Sequence, residues 1–304
     1  MKASVFERQA DVTRQPLTAR DLPDPEPARG QVRVGVKACG VCRTDLHIVE
    51  GDLEPHAMPV VPGHMIIGEV DAVGDGCEVR RIGDRVGVGW LGWTCGECRF
   101  CRRGRENLCR AAKFTGYDFD GGYAEYAVAD EACTYAIPDA FDDLHAAPLM
   151  CAGIIGYRSL ERANVPDGGR LALYGFGSAA HLIMQIVRKR GYETYVVTRS
   201  ENHQRMAREM GAVWVGDDAG ELPELVDAAV IFAPAGKLVP VALEKLERGG
   251  TLSLAGIHMS PIPEMDYREH LYHERDVRSA MNNTRQDAEQ LLALCLPCGE
   301  VNLR

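Results

Sequence analysis

Polar and apolar residues alternate with period two in the first half of the chain. QVRVGVKA (31–38) is the clearest case, and IIGEVDAVG (66–74), DRVGVGW (84–90) and GGYAEYAVA (121–129) follow the same pattern. Such alternation predicts half-buried strands. Gly and Pro punctuate them at PEPARG (25–30), MPVVPG (58–63) and DGG (120–122), so the expectation is a barrel-like or sandwich-like β domain.

Near residue 150 the pattern changes. RLALYGFG (170–177) is a nearly continuous apolar run, and AAHLIMQIVRKRG (179–191) has helix spacing closed by a glycine. Strand YETYVVT (192–198), helix HQRMAREMGA (203–212), strand DAAVIFAP (227–234), helix LVPVALEKLERGG (238–250) and strand TLSLAGI (251–257) continue the series. Strands alternating with helices of this length predict βαβ units on a parallel sheet. The segment LLALCLPCGEVNLR (291–304) shows no convincing further element.

At 304 residues the chain exceeds what one core usually organises, which agrees with two domains. The net charge of −10 argues against a nucleic-acid partner. The N-terminus MKASVFERQADVTRQ has no apolar core of a secretory signal, and no apolar run is long enough to span a membrane. The expected location is the cytoplasm.

Cysteine changes the picture most. Of eleven cysteines, Cys95, Cys98, Cys101 and Cys109 form C-x2-C-x2-C-x7-C. Four thiolates so close in a loop are able to surround one tetrahedral zinc; with no open position that site is structural. Unrelated surface thiols and a redox C-x-x-C are the plainer readings, but four regularly placed cysteines exceed what a dithiol needs. A nucleic-acid-binding zinc ribbon is opposed by the charge and by the βαβ pattern downstream. The pair Cys295 and Cys298, without a histidine, is a poor metal site.

Gly175-Phe176-Gly177-Ser178-Ala179-Ala180 follows a strand and opens a helix, the context in which a glycine fingerprint predicts a dinucleotide site. Gly175 permits the turn, Gly177 lets backbone approach the pyrophosphate, Ser178 opens the helix and Ala180 stands at the third glycine position. The second strand ends Val197-Thr198-Arg199-Ser200, without the carboxylate that usually holds the ribose of NAD. Arg199 suits a 2′-phosphate, with hydroxyls at Thr198 and Ser200, so NADP(H) is favoured over NAD(H).

Together with CGVCRTDLH (39–47), PGH (62–64), GGYAEY (121–126), APLMCAGIIGYRSL (147–160), YGFG (174–177) and AGIHMS (255–260), the four-cysteine loop resembles the zinc-dependent medium-chain alcohol dehydrogenases, over nearly the whole chain. The branch it looks most similar to is the bacterial one that prefers small primary alcohols. The resemblance implies an α/β fold with a β-rich part: a GroES-like β-barrel catalytic domain over 1–145, and a Rossmann doubly wound parallel sheet over 146–281. It also implies a segment returning to the catalytic domain from 282–304, stopping short of its relatives. Two zinc ions per chain, a homodimer or homotetramer, and a small alcohol or aldehyde substrate follow as expectations.

The resemblance places a catalytic zinc on Cys42, His64 and Cys151. Two thiolates and an imidazole are good ligands and leave a fourth position open; taken singly, each would more often be an ordinary buried residue. Zinc would act as a Lewis acid on the substrate oxygen. The proton would leave by way of Thr44, the cofactor ribose and His47. Asp45 would support the metal shell, Arg43 would meet the pyrophosphate, and Trp90 would line the substrate pocket. One departure is Met65, where relatives carry a glutamate behind the zinc; slower turnover with retained zinc is expected. The competing expectations are the same fold acting on a polyol, cinnamyl-type or quinone-like substrate, and a catalytically silent relative kept for cofactor binding.

Overall fold

The computed structural model describes residues 1–295, which fold into two compact units. One comprises Met1–Ile154 with the segment from Asn282; the other is Ile155–Met281.

In the first unit a curled antiparallel sheet orders its strands as Tyr126–Asp130, Gln31–Gly40, Met65–Val73, Arg85–Val88 and Thr134–Ala136. Period two explains it: Val32, Val34, Ile66, Val70, Val86, Val88, Ala127 and Ala129 all turn to one face and form a single cluster. Register shifts in the pairing of Gln31–Gly40 with Met65–Val73 let the long strands curl. The hairpin of Lys2–Phe6 and Leu17–Asp21 was not legible, because every residue of its second strand is exposed and leaves no alternation to read.

In the second unit six parallel strands run in the order Trp214–Gly216, Glu193–Val197, Arg170–Tyr174, Val226–Ile231, Leu246–Leu254 and Asp276–Ser279. Both faces are covered, which is why the strands read as continuous apolar runs. Leu171, Leu173, Ala228 and Val230 pack on the side of Ile183, Met184 and Val187 from helix Ser178–Lys189. Ala172, Tyr174, Ala229 and Ile231 pack on the side of Val239, Ala242 and Leu243 from helix Leu238–Glu244. The first strand of the unit lies inside the sheet and the order reverses beside it. A crevice therefore opens at the carboxyl ends of Arg170–Tyr174 and Val226–Ile231, the usual ligand position of such sheets.

Two expectations need correction. The helical reading of 238–250 stops at Glu244, and Leu246–Leu254 is strand; the Lys245 carbonyl accepts from Val226 N–H and fully buried Leu246 pairs with Val226, so sheet pairing overrides the local helix pattern. The tail does contain an element, helix Arg285–Cys295. Its signal was Thr284, whose N–H and hydroxyl donate to the Asp287 carboxylate while its Oγ1 accepts from Asp287 N–H. Arg285 N–H donates to Glu106 (2.7 Å), which ties this helix to the cysteine loop. Cys298 lies outside the described residues. Among the described residues no helix is long and apolar enough to cross a membrane.

Candidate metal centre and cofactor site

The helix Arg43–Glu50 starts because Asp45, three residues past the cap, accepts the Cys42 N–H through Oδ2 at 2.7 Å. That bond fixes Cys42 at the cap and leaves Asp45 Oδ1 to meet His64 Nδ1 at 3.1 Å. His64 follows Gly63, whose φ of +97° favours glycine; a Cβ there would also stand 2.6 Å from the Tyr123 ring. Cys151 sits between the 3-10 turn Ala147–Met150 and the helix that opens at Ala152.

These three segments bring Cys42, His64 and Cys151 together, with their ligand atoms all within 4.8 Å of one another. The two sulfurs are 3.6 Å apart, too far for a disulfide. Tetrahedral zinc with bonds of about 2.3 Å to sulfur sets its sulfurs roughly 3.8 Å apart, so the spacing fits the metal. His64 is 1% exposed and, among the described residues, its Nε2 has no hydrogen-bond partner. An orphaned buried imidazole nitrogen facing two sulfurs is the arrangement a zinc ion satisfies.

Electrostatics agree. Burial alone would lower His64, but Asp45 and Cys42 raise it to about 9. The contact with Cys151 holds Cys42 well below the thiol range, at about 4, and the same contact pushes Cys151 up. One proton shared between two sulfurs is what a metal ion displaces.

The loop cysteines form the second cluster, again within 4.8 Å. Cys95 and Cys101 are 3.9 Å apart, while Cys98–Cys101 and Cys95–Cys109 are each 3.5 Å. The Cys98 N–H donates to Cys95 Sγ, and the Cys101 N–H helps draw the Cys98 thiol down to about 7. Four sulfurs occupy all corners of a tetrahedron, so this site fits a closed, structural zinc.

Thr44 is buried, with Oγ1 3.7 Å from Cys42 Sγ. His47, one turn further on, is half-buried, and Arg43 is exposed in the first turn. Trp90 meets the His64 ring edge-on at 5.0 Å and stacks on Phe114 at 5.1 Å. Phe114 and Tyr117 complete an aromatic wall that the sequence reading missed, because no periodic pattern joins positions so far apart. Met65 is 5% exposed and packs over Gly40, where a Cβ would lie 2.7 Å from its methyl group.

In the other unit, Gly175 has φ +95° and a Cβ on it would press on Ala233 N at 3.1 Å. Gly177 caps helix Ser178–Lys189 with open space where its Cβ would be, the room a pyrophosphate needs. Ala180 is fully buried inside the sheet–helix contact. Thr198 is buried, its carbonyl accepting from Gln204 Nε2, whereas Arg199 and Ser200 are exposed. Among the described residues Arg199 has no ion-pair partner.

Residues 28–139 match the family model described as alcohol dehydrogenase GroES-like domain, and residues 175–296 the model described as zinc-binding dehydrogenase. A probable alcohol dehydrogenase of Mycobacterium tuberculosis is 48% identical over 294 residues, 95% of this chain and 85% of that protein. Among solved structures, AibC superposes with a TM-score of 0.89 at 27% identity, covering 98% of this chain and 86% of its own. A zinc-binding dehydrogenase of Sinorhizobium meliloti bound to NADP superposes at 0.84 with 27% identity, covering 96% and 88%.

Proposed function

We propose that this chain, which belongs to the zinc-type medium-chain alcohol dehydrogenases, interconverts small primary alcohols and their aldehydes with two zinc ions bound and NADP(H) as partner in hydride transfer. The observation that carries the reading is the trio Cys42, His64 and Cys151, with its orphaned Nε2 and, among the described residues, three candidate protein ligands. A closed four-ligand site would give structure alone; three ligands leave room for substrate oxygen.

When bound, zinc supplies Lewis acidity to the substrate oxygen, and the nicotinamide accepts or returns hydride. The chain's own residues do the rest. Asp45 fixes His64 as the Nδ1–H tautomer and so presents Nε2 to the metal. The Thr44 hydroxyl, beside Cys42, takes the proton an alcohol loses, and His47 carries it toward solvent. Trp90, braced by Phe114 and Tyr117, forms an aromatic wall against His64 and favours short substrates over bulky ones.

The preference for NADP(H) rests on Arg199: exposed, without an ion pair among the described residues, at the end of a strand that lacks a carboxylate for ribose hydroxyls. The NADP bound by the Sinorhizobium relative supports it. The test is absorbance at 340 nm with ethanol, propanol, benzyl alcohol and their aldehydes, each offered with NADP and with NAD. Turnover with NADP and short primary alcohols is expected. No turnover of any alcohol or aldehyde by zinc-loaded protein removes the reading, and clear preference for NAD removes the cofactor assignment.

A further inference from the structure

The helix that carries Thr44 and His47 ends in a turn that brings an acidic side chain back onto the histidine. Gly51 takes φ +96°, the left-handed cap, and Leu53 N–H then donates to the His47 carbonyl at 3.0 Å. Gln9 staples this fold-back, its Nε2 donating to the carbonyls of Ile48 and Leu53. The result is that Asp52 Oδ2 lies 2.7 Å from His47 Nδ1. The imidazole is 14% exposed and the carboxylate 57%, so one end of the pair is sheltered and the other wet.

An ionised carboxylate has lone pairs and no proton to give. The hydrogen bond therefore requires the proton on Nδ1, and it leaves the lone pair of neutral His47 on Nε2. We propose that Asp52 is a positioning residue for proton exit: it holds His47 in the Nδ1–H tautomer, so that Nε2 is the nitrogen that takes the proton. When Nε2 gains that proton, the ring becomes a cation hydrogen-bonded to a carboxylate, a stronger contact than the neutral one. The Nε2 proton then passes on to water while Asp52 keeps the proton on Nδ1, and the starting tautomer is restored. No bond other than N–H and O–H changes, and no oxidant or reductant is needed. The inference rests on the reading of His47 as the group that takes the substrate proton.

The experiment combines a spectrum with kinetics, on full-length zinc-loaded protein. With nitrogen-15 histidine, long-range proton–nitrogen correlation separates the two tautomers, and His47→Gln identifies the His47 signals. The wild type should show protonated Nδ1, and Asp52→Ala should move His47 to the Nε2–H form or to a mixture. In alcohol oxidation, Asp52→Ala should lower kcat about tenfold, part of the general-base contribution, with KM changed by less than about twofold. Asp52→Glu should recover part of the rate and the wild-type tautomer. An unchanged His47 tautomer in Asp52→Ala overturns the proposal whatever the rate does. A switched tautomer with unchanged kcat leaves Asp52 as the holder of the ring but refutes its part in proton exit, together with the relay role of His47.

Discussion

Replacing Asp45 by Asn tests the metal centre at its most constrained point. Two donors face this side chain, Cys42 N–H at 2.7 Å and His64 Nδ1 at 3.1 Å, and the carboxylate has an oxygen for each. An amide has one oxygen and one NH2 group. If the oxygen stays with Cys42, the NH2 faces His64 and favours the tautomer with its proton on Nε2, the nitrogen that must bind zinc. If the amide flips, the Cys42 N–H is left unpaired at the helix start. With the residue 3% exposed, water does not repair either loss. One charge-assisted hydrogen bond is worth about 2 kcal/mol, or roughly 30-fold in metal affinity, within the ~10–100-fold typical of residues that support metal ligands. Competition with a chromophoric chelator should report the two proposed zinc sites separately, with only the Cys42, His64 and Cys151 site weakened. An affinity within about threefold of wild type at that site would refute the argument, because such support is worth at least ~10-fold.

Three further outcomes follow from other parts of the structure. Glu131 is desolvated, yet its carboxylate lies below the usual value of 4.5 because the N–H groups of Arg80, Glu78 and Val79 donate to it. Its stabilisation is thus present above that value and fades as pH falls through the lower folded-state value. Screened by solvent, Glu131→Gln should cost about 1 kcal/mol at pH 7, a drop of ~2–4 °C in Tm, with the gap to wild type narrowing as pH falls below the ordinary carboxylate value of 4.5. Met65→Glu should raise kcat with propanol or benzyl alcohol about tenfold, zinc content unchanged, and a flat response would clear Met65 of limiting the rate. Arg199→Ala should raise KM for NADP ~10–100-fold and leave that for NAD unaltered; equal effects on both would show that Arg199 does not read the 2′-phosphate.

The sequence carried the two sheets and the four-cysteine loop for physical reasons visible in single residues. Leu171 to Tyr174 had to be apolar without a break, since alternate side chains feed opposite cores. The loop cysteines had to be close in sequence, because a short loop supplies four ligands by itself. Cys42, His64 and Cys151 carry no such local signal. They meet only when a helix cap, a Pro-Gly turn and a 3-10 turn converge, so resemblance, not spacing, pointed to them. Asp52 was missed because its meaning depends on Gly51 reversing the chain. Leu246 was misread because burial in the sheet outweighed the helix pattern around it.

Metal analysis of the purified protein and of Cys151→Ser bears most directly on the central claim. About two zinc ions per chain are expected in the wild type and about one in the variant, which keeps the loop site and loses the three-ligand site. Wild-type protein with a single zinc, or a Cys151→Ser variant that still holds both, would contradict it.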